Sequence, residues 1–280
     1  MLYQKYSEII KKLNHFFDKK KQPVVFVHVD LFRSFRLDYN NKNDFFKQHY
    51  ELIKKITNYS KLIFPCFNYN FPNTKIFNIE KSKSQTDYFT EYFRIKFAKM
   101  RTNVPIFSVT ANYKLNLSNK FKTINPFGKN SIFHYLYKKN ANILYYGAPF
   151  SSSTFIMYVE DTFKNGPIYR YKKLIKGKII DKKNKKNITL SFHVRPKNNK
   201  YYLEYDWKKI EKELIKNKII FIYNSGITRI KIINIKKVTS FLHKKMKKDQ
   251  FYLIDKKSKK WVIPMFKKVK RRFILDDFKN

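Results

Sequence analysis

The chain has one cysteine, five glycines and only 20 acidic residues among 280. The single cysteine, Cys66, excludes an intrachain disulfide. With no base identifiable beside it, it reads as a small buried hydrophobe and not as a nucleophile. The glycines form no Walker-type or dinucleotide-binding run, which excludes a glycine-rich phosphate loop. No metal-ligand spacing is present, so no metal is expected. No uninterrupted apolar stretch approaches the length of a membrane span. The N-terminal residues Met1-Leu2-Tyr3-Gln4-Lys5-Tyr6 lack the apolar run of a signal peptide. The expectation is a soluble, cytoplasmic protein without a membrane span.

What is abundant is hydrophobic mass and lysine. Hydrophobic residues make up 43% of the chain and aromatics 18%, enough for a substantial core and against global disorder. The length suits one large domain, or a domain with a subdomain. The formal net charge is +42, carried by 53 Lys and nine Arg. Lys, Asn, Ile, Phe and Tyr are the residues of AT-rich codons, so mutational bias competes with function as the cause of the charge. The lysines are dispersed in short runs such as Lys182-Lys183-Asn184-Lys185-Lys186, which are usually solvated. No specific nucleic-acid partner is expected, although a basic surface raises non-specific affinity for phosphates.

Apolar periodicity predicts a helix over residues 4–17, ended by Gln22-Pro23, and then a buried strand, Val24 to Val29. A helix over Phe45 to Ile56 and a second strand, Lys61 to Phe67, follow. Asn68 to Ser84 reads as loop, Asp87 to Ala98 as helix, Ile106 to Thr110 as strand and Ser131 to Lys138 as helix. Alternating strands and helices with short links predict an α/β fold, a three-layer core with a mostly parallel sheet. From residue 168 the pattern is strand-rich and hairpin-like. A helix over Trp207 to Lys216 and a final strand, Trp261-Val262-Ile263-Pro264, are expected there. The organisation inferred is an α/β core carrying the site, residues 1–167, and a part with antiparallel strands packed on it, residues 168–280. No internal repeat is visible.

The segment Ile143 to Lys173 concentrates the site signals. A strand, Ile143-Leu144-Tyr145-Tyr146, ends in Gly147-Ala148-Pro149. The hydroxyl cluster Ser151-Ser152-Ser153-Thr154 opens a helix carrying Glu160, and Tyr169-Arg170 follows. Strand, glycine, hydroxyls and helix N-terminus form a polar site at the sheet edge of an α/β protein.

In order along the chain, these pieces resemble the aminoglycoside 3-N-acetyltransferase family. The resemblance rests on Val27-His28-Val29-Asp30-Leu31, Ile63-Phe64-Pro65-Cys66-Phe67 and Thr90-Glu91-Tyr92-Phe93-Arg94. It continues through Arg101-Thr102-Asn103-Val104-Pro105-Ile106-Phe107-Ser108, Gly128-Lys129-Asn130-Ser131, Gly147, Ser153-Thr154, Glu160 and Tyr169-Arg170. It implies transfer of an acetyl group from acetyl-coenzyme A, a cosubstrate, to a small-molecule amine acceptor, usually on a sugar. That reaction needs a neutral amine, donors for the thioester oxygen and cationic or N–H partners for the coenzyme's phosphates. By the resemblance, Thr154 and Glu160 are catalytic. His28, Asp30, Leu31, Ser108 and Ser153 bind the coenzyme, and Arg170 binds the acceptor. From the residues themselves, Asp87 and Glu91, four apart on one helical face, are candidates to hold a cationic acceptor.

Each has a plainer reading. His28 can be a strand-end residue and Glu160 a salt-bridged helix residue. Thr154 can be only an N-cap. Arg170 can be a stacked surface side chain, and Asp87 with Glu91, four apart on one helical face, a surface pair. The sequence also departs from the family. In the pattern Ser-x-Thr-x-x-His-x-x-Glu, Met157 stands where the His is the expected base, and its thioether is only a weak acceptor. Val104 and Phe107 replace two further histidines, and Tyr113 replaces an expected glycine. His134 and His193 are the other imidazoles considered as bases, and neither is favoured. The expectation is therefore an N-acetyltransferase whose acceptor is an amino sugar or sugar nucleotide. The alternative is a catalytically silent relative that binds coenzyme A, a sugar or a protein.

Overall fold

The computed structural model describes residues 6–17, 23–115, 117, 122–164, 166–196, 198 and 200–279. Met1–Lys5, which include most of the stretch read for a leader, and Gln22 lie outside the described residues. In chain order the elements are α1 (Ser7–Asn14), β1 (Val24–Val29), α2 (Lys42–Ile56), β2 (Lys61–Pro65), α3 (Phe71–Thr74), β3 (Ile76–Asn78) and α4 (Tyr88–Lys96). Then come β4 (Met100–Arg101), β5 (Val109–Ala111), β6 (Thr123–Ile124), α5 (Ile132–Lys138), β7 (Asn142–Tyr146) and α6 (Phe155–Thr162). The chain continues through β8 (Tyr171–Asp181), β9 (Asn184–Val194), α7 (Trp207–Lys216), β10 (Ile220–Ser225), β11 (Thr228–Asn234), α8 (Ile235–Lys248) and α9 (Lys256–Val269).

The fold is α/β, as expected. A seven-stranded sheet has the order β10-β11-β7-β1-β2-β5-β4. Its centre, β7-β1-β2, is parallel, and its flanks are antiparallel. β1 alternates between two cores because a strand turns successive side chains to opposite faces. Val24 and Phe26 enter one core, and Val25 and Val27 enter the other, which gives three layers. A strand buried on both faces reads as a continuous apolar run, which is how this one was visible in the sequence.

A second sheet, β3-β8-β9-β6, packs into the first of these cores through Ile175, Ile179, Ile188 and Phe192. The two sheets draw strands from either side of residue 168. β10 and β11 extend the first sheet at β7, and β3 and β6 flank the β8–β9 hairpin.

One expected strand is a helix. Trp261-Val262-Ile263-Pro264 lies inside α9, where Asp255 caps the N-terminus by accepting from the Ser258 N–H. Ser258 and Val262 are buried one turn apart, with Phe266 packed on the same cluster a turn later. The stretch Asn68 to Ser84, read as loop, contains α3 and β3, and the strand expected from Ile106 begins at Val109.

Candidate active site

The strand order reverses at β1. The chain leaves β1 for β2 through α2, packed in one core, and reaches β7 on the other side through α5, packed in the opposite core. Such a reversal opens a crevice at the carboxyl ends of the strands. Here those ends carry His28, Asp30 and Gly147. Asp30 N donates to Tyr146 O at 2.8 Å, and Gly147 N donates to Arg229 O at 2.7 Å. Gly147 has φ +75°, and a Cβ there would sit 2.0 Å from the Asp30 carbonyl oxygen. Only glycine allows the ends of β1 and β7 to approach this closely.

Past this glycine, a 3-10 turn over Phe150–Ser152 leads into α6. Phe150 is buried against Tyr145 and Trp207 and fixes the turn. Ser153 is buried and accepts from the Tyr145 hydroxyl at 2.7 Å. Thr154 occupies the N-cap position of α6 without making a capping hydrogen bond; its hydroxyl reaches only Ser152 O, at 3.5 Å.

Two cavities flank this turn. The first, about 520 Å³, is walled by Phe67, Phe107, Phe192, Tyr205 and Trp207, with the Ser151–Thr154 turn, Met157, Arg170 and Arg195. The second, about 550 Å³, lies between Leu31, Phe45, Phe46 and Phe89, with Asp30, Lys42 and Asp87 at its edge. Both volumes suit a drug-sized ligand. His28, Thr86 and Ser152 line both cavities and form their shared wall.

His28 is buried, stacked on Tyr145 at 5.3 Å and edge-on to Phe26 at 5.0 Å. Its Nε2 has no hydrogen-bond partner among the described residues. Burial pushes its pKa down to about 3, so the ring is neutral at physiological pH. His49, His134, His193 and His243 bond to Tyr146, Tyr158, Asp161 and the Val159 carbonyl, and none lines either cavity.

Glu160 lies one turn after Met157 on α6 and is 1% exposed. Its Oε1 accepts from the Tyr169 hydroxyl at 2.5 Å. Its Oε2 accepts from the Tyr205 hydroxyl at 2.6 Å and lies 2.7 Å from Arg170 Nε. Burial opposes the charge on Arg170, and Glu160 overrides it, so the guanidinium pKa is raised. Burial, with Glu160 beside them, also raises both tyrosines far above the usual phenol range, and they stay neutral donors. The Arg170 guanidinium lies over the Tyr205 ring, 5.0 Å from its centroid. Glu160 is thus committed to a buried four-residue cluster that presents Arg170 and Tyr205 to the first cavity.

The residues singled out from the sequence divide between the cavities. Ser153, Thr154 and Arg170 line the first; Asp30, Leu31 and Asp87 line the second; His28 belongs to both. Asp87 and Glu91 do not share a helical face, because α4 begins at Tyr88. Asp87 is its N-cap, accepting from Thr90 N at 2.8 Å, and burial raises its pKa to about 6. Glu91 is held by Arg94 and by Ser84 N, away from both cavities. Ser108 also lies outside both. It donates to the Cys66 carbonyl and accepts from Arg101, whose guanidinium also ties down Ile79 O and Ser82 O behind the Phe67 wall.

The Cys66 thiol is pushed up to about 11 by burial, which leaves it unreactive. Arg195, Tyr205 and Trp207 in the first cavity, and Lys42, Phe45 and Phe46 in the second, were not anticipated. They arrive from distant segments, and no local motif marks them. Among the described residues there is no cluster of three or more His, Cys, Asp or Glu able to hold a metal ion. No helix there is long and apolar enough to cross a membrane.

Solved structures with the same fold include AAC-IIIb in a binary complex with CoASH. It is 13% identical, with TM-score 0.63, covering 81% of this chain and 90% of its own. YokD protein from Bacillus subtilis is 15% identical, with TM-score 0.64 and coverages of 86% and 94%. Sisomicin-bound AAC-VIa is 13% identical, with TM-score 0.63 and coverages of 86% and 97%. No curated protein sequence matches the chain. The sequence profile described as aminoglycoside 3-N-acetyltransferase matches residues 67–247, from the wall residue Phe67 to α8. With the crevice, the glycine turn and the order of the strands, this match settles the relationship: the chain belongs to the aminoglycoside 3-N-acetyltransferase family.

Proposed function

We propose that the protein is a coenzyme A-dependent N-acetyltransferase acting on an amine acceptor, an amino sugar either free or nucleotide-linked. The observation that carries this reading is the pair of cavities sharing His28, Thr86 and Ser152 as a common wall. Two substrates that exchange an acetyl group must meet with their reacting atoms about 3–3.5 Å apart, and a shared wall provides for that. In this reading the acetyl-coenzyme A arm enters the apolar second cavity beside Asp30 and Leu31, and the acceptor enters the aromatic first cavity beside Arg170. Ser153, set by Tyr145, shapes the turn between them.

The chemistry divides among few groups. The Thr154 hydroxyl, free of capping duty, serves the oxyanion that develops on the thioester oxygen, since the Ile156 and Met157 N–H groups already donate to Ser153 O and Thr154 O. Glu160 acts through its neighbours: it holds Arg170 charged and Tyr205 oriented. Met157 lines the acceptor cavity where a base is needed and offers only a weak acceptor. His28, held near pKa 3, is a neutral hydrogen-bonding group and a poor base. The amine therefore enters in its own neutral fraction, which favours an acceptor of low basicity.

The test is acetyl-coenzyme A-dependent acetylation of an amino-sugar panel by the protein and by a Met157→His variant. A restored base should raise the rate by roughly 10²–10⁴-fold and add a pH limb near the imidazole range. Failure of both forms to bind coenzyme A would sink the proposal. A second reading, a binder without turnover, rests on the same Met157; coenzyme A binding by both forms with acetylation by neither would favour it.

A further inference from the structure

We propose that the first cavity recognises an oxyanion on its acceptor through Arg170 and Arg195, so that the amine is borne by a molecule carrying a phosphate or carboxylate. This rests on the acetyltransferase reading above for the identity of the cavity as the acceptor site. It does not rest on it for the charge preference.

The lining of that cavity holds two arginines, the neutral His28, several hydroxyls and aromatic rings, and no Asp or Glu among the described residues. A polycationic acceptor would find no carboxylate on that wall to accept its ammonium groups and would face two guanidinium groups whose own carboxylate partners are already engaged. The two carboxylates that reach the lining arginines are both engaged: Glu160, behind Arg170, by the Tyr169 and Tyr205 hydroxyls and Arg170 Nε, and Glu204 by Arg195. Glu160 lies against the Arg170 guanidinium at Nε and Tyr205 shares a hydrogen bond with it, so the remaining N–H donors of its planar fork are what a phosphate or carboxylate in the cavity would engage.

Arg170 is also pre-set. It is 2% exposed, backed by Glu160 and packed over Tyr205, so little side-chain entropy remains to be lost when an anion docks. Arg195 supplies the second charge at the mouth. There it pairs with Glu204 at 2.7 Å and lies over the Tyr202 ring, with 39% of its side chain exposed. A guanidinium has five N–H donors, and Glu204 takes one from Arg195 Nη1. Arginine is scarce in this chain, nine residues against 53 lysines, so two in one cavity stand out from the lysine background. A buried ion pair is costly to maintain, and presenting a fixed guanidinium to a ligand gives this one a use.

The experiment measures equilibrium binding to the full chain by calorimetry, without reliance on turnover. The probes are glucosamine, glucosamine 6-phosphate, a 2-amino uronic acid and the polycation sisomicin. Glucosamine 6-phosphate or the amino uronic acid should bind roughly 10- to 100-fold tighter than glucosamine, the range expected of a charge-assisted contact. Preference for both, or for the phosphate alone, tells which oxyanion is meant. In Arg195→Gln, which alters a partly exposed residue and leaves the buried cluster intact, the preference should shrink at least threefold. Arg170→Gln should abolish it. Lys244→Gln, on the exposed face of α8, controls for the general basic surface and should leave the ratio unchanged. Equal binding of the four probes, tightest binding of sisomicin, or a preference that survives both arginine variants would overturn the inference. Acetyl transfer, measured separately, judges the acetyltransferase reading by itself.

Discussion

Replacing Glu160 by Gln should be among the most damaging conservative changes available in this chain. The substitution keeps the shape of the side chain and removes its charge. Arg170 then remains buried without a counter-charge, and breaking a buried ion pair by removing one partner costs about 3–5 kcal/mol. A further loss comes from the tyrosines. Both hydroxyls donate to Glu160, one to each oxygen, and a Gln amide has one acceptor atom. One phenol oxygen can then accept from the Gln NH₂, but its own O–H loses its acceptor, a buried unsatisfied donor worth about 1–3 kcal/mol. Arg170→Met should cost less, because the carboxylate it leaves behind keeps two hydroxyl donors. The double variant should be less damaged than the sum of the singles, by a coupling of about 2–3 kcal/mol, since its buried cation and anion leave together. The assay is urea unfolding followed by tryptophan fluorescence. Trp207 packs at 4.9 Å on Tyr205, a member of the cluster, and reports on it. A coupling below about 0.5 kcal/mol, or a Glu160→Gln cost below about 1 kcal/mol, would refute the reasoning that these four residues act as one buried unit.

Gly147→Ala places a Cβ 2.0 Å from Asp30 O at a positive φ, so it should cost more than about 3 kcal/mol; a loss under 1 kcal/mol in thermal unfolding would contradict that close approach. Asp87 has a folded pKa near 6, above its unfolded value, so its ionisation weakens the fold as pH rises from about 4 to 6 and the penalty persists above that. Asp87→Asn keeps the N-cap and should stabilise the protein at pH 7–8 by about 1–3 kcal/mol, with the gain gone near pH 4; a pH-independent effect would count against it. His28 is displaced in the opposite sense, its folded pKa near 3 lying below the unfolded 6.5. Its stabilising contribution is therefore full above pH 6.5 and lost as pH falls toward 3. His28→Gln should flatten that acid limb in unfolding curves taken between pH 4 and 7, and an unchanged limb would mean that His28 is not buried neutral.

What the sequence made legible, and what it did not, follows from the range of the interactions involved. The strand-glycine-hydroxyl-helix order was readable because it is local: β7, Gly147 and the turn into α6 lie within 20 residues. Buried β1 was readable because both its faces are covered, which forces an unbroken apolar run. Helix α9 was misread because Trp261-Val262-Ile263-Pro264 looks like a short apolar strand with a breaker. The cap Asp255 and the spacing Ser258, Val262, Phe266 carried the helical signal instead. The acidic pair Asp87 and Glu91 was mistaken for one face because periodicity cannot say where a helix starts, and Asp87 stands just outside it. The partners of Glu160 were the least accessible. Tyr205 comes from 45 positions away, and nothing near either residue announces the other.

The strand order has a consequence for how the protein is made. β7 emerges from the ribosome with one edge open, and the strand that covers it, β11, is synthesised only after the whole β8–β9 hairpin and α7. During that interval the chain offers an unpaired apolar edge at Ile143 to Tyr146, the condition under which nascent chains aggregate or recruit chaperones. The partner that the Gly147 N–H needs, the Arg229 carbonyl, arrives in the same late segment. The turn that bears Ser151 to Thr154 therefore gains its anchor at the close of synthesis, and a chain cut short before Thr228 would carry every hydroxyl of the site without the anchor that holds their turn in place.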